Sequence, residues 1–120
     1  MRLVTVITLA SLASCTAMLP APANRLVGEW RYSDGLSSCR YIFRKDGTFR
    51  AEVAYGQAAV FGFTGRWRVR GEMLCYENVQ DDAGQPPAGT TDPDKLLSVE
   101  KDYFVILAPD GRQRRYDRLN

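Results

Sequence analysis

Alternation constrains this chain more than any other feature. From residue 26 onward, apolar side chains recur at every second position in short runs, and each run ends at a turn signal. Leu26, Gly28, Trp30 and Tyr32 share one face of segment 26–32. Cys39, Tyr41 and Phe43 oppose Arg40 and Arg44. Phe49, Ala51, Val53 and Tyr55 oppose Arg50 and Glu52 in 48–55. Phe61, Phe63, Gly65, Trp67 and Val69 oppose Arg66, Arg68 and Arg70 in 61–70. A period of two with one polar face means half-buried antiparallel strands. Segments 73–79, 95–100, 103–108 and 112–119 complete eight candidates, and no segment reads as a helix. Segment 103–108 (YFVILA) is apolar on both faces, so its inner face is not readable. The punctuation is regular: Ser33-Asp34-Gly35, Lys45-Asp46-Gly47, Gly56-Gln57, Arg70-Gly71, Lys101-Asp102 and Pro109-Asp110-Gly111.

The first residues have another logic. Met1-Arg2 is a short basic region, and Leu3 to Leu12 is an apolar stretch too short to cross a bilayer. Residues 1–14 therefore read as an export signal. Leu12-Ala13-Ser14-Cys15 looks like a bacterial lipobox, in which Cys15 receives a diacylglyceryl group and becomes the mature N-terminus. Thr16 after that Cys points to the outer membrane, facing the periplasm. The alternative is cleavage after Ala21-Pro22-Ala23, which would leave a soluble periplasmic protein. Residues 15–25, with two Pro and several small residues, read as a flexible tether, and residues 26–120 as the folded domain.

Cysteine usage agrees with export. With Cys15 lipidated or removed, Cys39 and Cys75 are left as a pair, and an oxidising compartment predicts a bridge between them. Closing that loop would stabilise by roughly 4 kcal/mol on the chain-entropy model. In a flat meander the two strands lie about 14 Å apart, whereas a disulfide needs Cα atoms within about 7 Å. The expected bridge therefore requires a rolled-up sheet. Closure also removes both sheet edges. The expected fold is all-β: a small eight-stranded antiparallel up-and-down barrel with one disulfide.

Composition then excludes functions. The 120 residues carry 16 basic and 14 acidic side chains, too balanced for a dedicated nucleic-acid binder. There is no His, so the commonest metal ligand and general base are missing. Two cysteines without His do not make a metal site, and no metal or cofactor is expected. No phosphate-binding glycine loop or S-x-x-K motif is present, and an enzyme is not expected. Glu29 and Glu52 fall on polar faces. Glu77 shares parity with Cys75, while Leu74 and Tyr76 argue for the opposite phase, so its direction stays open. The 80–94 loop (QDDAGQPPAGTTDPD) lacks the spacing of a known calcium loop and reads as a mobile rim. Charge is segregated along the chain: residues 25–70 and 111–120 are net basic, residues 71–110 net acidic. The Arg66, Arg68, Arg70 row is a candidate face for an anionic partner, or else a solvated wall with cross-strand acid pairs.

Two resemblances follow. Gly28-Glu29-Trp30 resembles the G-x-W that opens lipocalin-like (calycin-type) barrels. It implies a Trp closing the barrel base under a basic side chain of the last strand, here Arg112, Arg114, Arg115 or Arg118. Lys101-Asp102-Tyr103 resembles the lipocalin T-D-Y motif, with Lys in place of Thr. Phe43-Arg44-Lys45-Asp46-Gly47-Thr48-Phe49 and Gly65-Arg66-Trp67-x-Val69-x-Gly71 resemble segments of small bacterial lipocalin-like lipoproteins of unknown function. The second resemblance is weaker. Trp30 to Cys39, and Trp67-x-x-x-Gly71-x-x-x-Cys75, are similar to the frame of periplasmic metallopeptidase-inhibitor barrels, whose N-terminal arm would correspond to residues 16–25.

The expectation is a monomeric, non-enzymatic envelope lipoprotein, held to the membrane by its N-terminal lipid. It binds a small apolar ligand or serves the envelope structurally. The alternative is an inhibitor of a protein target such as a peptidase, lysozyme or toxin. Gly28, Trp30, Tyr41, Phe43, Phe63 and Trp67 are the candidate base or ligand-lining residues.

Overall fold

The computed structural model describes residues 21–56, 60–87 and 92–120. A short helix, α1 (Ala21–Leu26), precedes eight strands: β1 (Gly28–Ser33), β2 (Ser37–Phe43), β3 (Thr48–Tyr55), β4 (Val60–Arg70), β5 (Met73–Asp81), β6 (Asp94–Val99), β7 (Tyr103–Leu107) and β8 (Gln113–Arg118). Each strand is antiparallel to the next. β8 returns to β1 through Trp30↔Arg118 and Arg31↔Asp117, so the sheet is a closed barrel.

The turns are built alike. Asp34, Asp46, Asp81 and Asp110 each use a carboxylate oxygen to accept a backbone N–H two residues on, from Leu36, Thr48, Ala83 and Arg112. This is the local bond that lets Asp start a turn. The backbone N–H bonds to Ser37 and Leu36 hold the Asp34 carboxyl below its ordinary value, and the Thr48 hydroxyl does the same for Asp46.

Inside, the alternation becomes a core. Leu26, Trp30, Phe43, Leu74, Phe104 and Ile106 are fully buried. β7, unreadable in the sequence, turns Phe104 and Ile106 inward. One irregularity redirects β5. Thr64 pairs with Gln80 but Arg66 with Glu77, so Gly65 faces both Asn78 and Val79. Asn78 takes the left-handed conformation at φ 53°. A bulge of this kind bends the strand. A Cβ on Gly65 would come within 2.8 Å of the Glu77 carbonyl oxygen, so only Gly fits there.

Two expectations are corrected. Residues 21–25, read as the end of a flexible tether, form α1 together with Leu26, and Ala23 and Leu26 are buried in the core. The boundary at residue 26 thus cuts through a helix that belongs to the barrel. Helical periodicity could not show over so short a span. The Cys39–Cys75 disulfide is also absent: both thiols are free. Cys39 shares the inward face of β2 with Tyr41 and Phe43, whereas Cys75 pairs with Arg68, two positions from outward Glu77. Cys39 therefore points into the barrel and Cys75 out of it, and the wall lies between them. The same parity settles Glu77, which points outward. Residues 1–14 and the lipidation candidate Cys15 lie outside the described residues.

Reducing agent should therefore leave the melting temperature unchanged, and both thiols should titrate with a thiol reagent after unfolding. A melting temperature that falls under reductant would show a bridge. Gly65→Ala should destabilise by about 1–3 kcal/mol, as overpacking does, measurable by urea unfolding.

Candidate functional site

Strand parity sends one set of side chains into the barrel, and the two ends treat them differently. At the end where β1 begins, called the base here, the packing is solid. Trp30, Phe43 and Trp67 are buried there beneath α1. Trp30 Nε1 donates to the Leu26 carbonyl at 2.8 Å, and Trp67 Nε1 to the Arg44 carbonyl at 2.9 Å. The Arg118 guanidinium lies over the Trp30 ring, 4.1 Å from its centroid. Arg118 is one of the four candidates for that position. It also donates to the carbonyls of Lys101, Val27 and Arg25. Gly28 has φ +139°, and a Cβ there would collide with the Arg118 guanidinium. Gly28, Trp30, Phe43 and Trp67 thus lie at the base, the three aromatics buried there.

The other end is the mouth. Tyr41 and Phe63, the remaining two candidates, face inward in its direction and stay partly exposed. They are joined by Tyr32 and Cys39, which parity already turned inward, and by Tyr76, Asp94, Arg114 and Tyr116, which the sequence did not link to a site. The Tyr41 ring lies 5.9 Å from Tyr76 and 5.5 Å from Tyr116. Tyr116 stacks on Phe104 at 4.8 Å. The Tyr76 hydroxyl donates to Asp94 Oδ2 at 2.7 Å. Asp94 is only 8% exposed, the buried charged residue of the described chain. Arg114 lies 5.7 Å from the Tyr32 ring centroid and pairs with Asp110 at 3.2 Å.

Three signals were missed or masked. In β5 two phases compete in the sequence, Leu74 and Tyr76 against Cys75 and Glu77, which left Tyr76 undecided. Asp94 reads in the sequence as the end of a rim loop, but in the structure it shares parity with inward Leu96. Arg114 reads as one of four possible partners for Trp30, a place that Arg118 fills.

Electrostatics define what this inner surface can do. Burial pushes the Cys39 thiol up to about 11. Burial likewise raises the phenols of Tyr41, Tyr76 and Tyr116 well above their ordinary value, and the Asp94 carboxyl above its own. At neutral pH the thiol and phenols stay protonated. They act as hydrogen-bonding and stacking groups, because the thiolate is the nucleophilic form of Cys. Among the described residues, no group of three or more His, Cys, Asp or Glu could hold a metal ion.

The mouth carries an apolar lip on one side. Leu36 is 81% exposed, Val60 64%, Tyr55 57% and Phe61 50%. Tyr55 and Phe61 meet edge to face at 6.3 Å, and the Gly56 N–H donates to the Leu36 carbonyl, which ties the two turns together.

The outer wall is spent on itself. Arg40 bridges Glu29 and Glu52, and Arg50 bridges Glu52 and Asp82. In the candidate anionic-partner row, Arg68 pairs with Glu77 at 2.8 Å, and Arg66 donates to the Asp46 carbonyl. Arg70 is exposed at the end of β4. The three do not form one unpaired row.

Asp94 gives a pH prediction. Its carboxyl is raised in the folded state, so it favours folding when protonated and opposes it once ionised. That contribution is lost as pH rises from the ordinary Asp range through the raised value. Asp94→Asn keeps an acceptor for Tyr76 and removes the buried charge. The variant should gain stability relative to the parent as pH rises from about 4 to 7, read by urea unfolding at each pH. A constant difference across that range would contradict it.

No family model matches the chain, and no curated protein matches it at a significant level.

Proposed function

We propose that this chain is a non-enzymatic, lipocalin-like envelope lipoprotein, lipidated at Cys15, whose barrel binds one small apolar ligand at its mouth. One observation carries the reading: the interior is divided. The base is packed solid, while the inward aromatics toward the mouth keep exposed surface, with an exposed apolar lip beside them. An eight-stranded barrel is wide enough for side chains or one small ligand. Here a ligand would have the upper half alone, which suits a compact, ring-sized molecule rather than a long chain. Exposed apolar patches of this kind mark interaction sites in soluble proteins. The protonated thiol and phenols supply hydrogen bonds but no nucleophile, which supports binding rather than catalysis.

The inhibitor alternative is less well supported. Its extended arm would include residues 21–25, and those residues are helical, with Ala23 packed in the core.

The test is titration with a neutral naphthylamine fluorophore. Saturable one-to-one binding is expected. Phe63→Ala should weaken it about 10-fold or more, in line with the loss of a buried aromatic contact. Absence of binding by the folded protein would overturn the proposal, and so would binding that Phe63→Ala leaves unchanged.

A further inference from the structure

The base end holds a feature that neither the packing nor the proposed ligand site uses. A groove of about 370 Å³ opens there, lined by Arg25, Glu100, Lys101 and Arg118. Three cations thus face one carboxylate. Among the described residues, none of the three cations is in an ion pair. Their positions are set by the main chain. Arg118 is held on three carbonyls, and Arg25 Nη1 donates to the Val99 carbonyl at 3.3 Å. Glu100 accepts from the Ser98 hydroxyl at 3.1 Å. Three cations with one carboxylate leave the groove net positive, and an anion between them would offset their repulsion.

The turns at the two ends differ in charge. At the base, Arg44 and Lys45 join Arg25 and Lys101, against Asp46, Glu72, Glu100 and Asp102. The turns at the mouth carry Asp34, Asp82, Asp92 and Asp110, against Arg112. The mouth turns are net acidic, the base turns are balanced, and the groove gathers cations locally at the base. Cys15 precedes α1 by few residues, a span of about 20 Å when fully extended. A lipid there would keep the base and its groove, and not the acidic mouth, against the bilayer.

We infer that the base groove takes the phosphate of an anionic phospholipid headgroup, so that the barrel stands base-down on the membrane with its mouth turned away. Arg25, Lys101 and the free N–H groups of Arg118 supply charge-assisted hydrogen bonds to the phosphate oxygens. Basic groups at a lipid surface act within a Debye length, so the contact is salt-sensitive. The inference rests on the envelope-lipoprotein reading but not on the mouth ligand.

The test uses the full chain with sedimenting vesicles, of phosphatidylcholine alone or mixed with phosphatidylglycerol. The parent should prefer the anionic vesicles. Arg25→Gln and Lys101→Gln should each reduce that preference about 5-fold, and together about 30-fold. Both side chains are exposed and hold no part of the core, and an unchanged melting temperature checks this. Arg112→Gln, at the mouth, should have no effect. Raising ionic strength to about 1 M should abolish the preference. An unchanged preference in the double variant would overturn the inference, as would an equal loss in Arg112→Gln. The mass of the mature N-terminus reports the Cys15 anchor separately, so a missing anchor and a missing headgroup site are distinguishable.

Discussion

The closure of this barrel depends on Arg118. One guanidinium lies on the Trp30 ring and reaches three carbonyls, on α1, on the residue before β1 and on the turn before β7. The last strand, the first strand, the helix and a distant turn are thereby fixed to one planar group. A cation over Trp contributes about 0.5–2 kcal/mol, more as it is desolvated. Its geometric role is larger than that figure. It explains why residue 28 must be Gly, and why Leu26 and Trp30 can be fully buried at an end of a barrel. The backbone of Arg118 continues the same seam, with its N–H donating to the Asp102 carbonyl.

Around the barrel the seams are unequal. β2, β3 and β4 pair along nearly their whole lengths, while β5 and β6 share Met73↔Lys95 and Leu74↔Asp94. The cause is the stagger: β6 begins at Asp94, opposite Leu74 near the start of β5, so it meets only the first residues of β5. Asp94, at that first position of β6, shares the inward face of Leu96 and meets Tyr76.

Most of the fold was legible because alternation is a local property that the chain states directly. Trp30, Tyr41, Phe43, Phe49 and Trp67 all face the interior that their parity implies. Three things were not legible, for separate reasons. α1 is shorter than two helical turns, so no periodicity could reveal it. The direction of Cys75 depended on a choice between the two competing phases of β5. The mouth cluster depends on the barrel's stagger, which brings Arg114 of β8 and Asp94 of β6 toward Tyr76 of β5 although nothing in the sequence links them. Of the residues read as base or ligand-lining, Gly28, Trp30, Phe43 and Trp67 lie at the base, and Tyr41 and Phe63 face toward the mouth.

The division of the interior has an evolutionary consequence. At the base, Leu26, Trp30 and Phe43 are fully buried, and there a change of even one methylene is felt. At the mouth, Tyr116 and Asp94 are buried too, but Tyr32, Tyr41, Phe63 and Tyr76 are partly exposed. Selection can therefore revise those four positions at less cost to the fold. Chains that share this lower half could diverge freely above it, keeping one foundation while changing what they recognise.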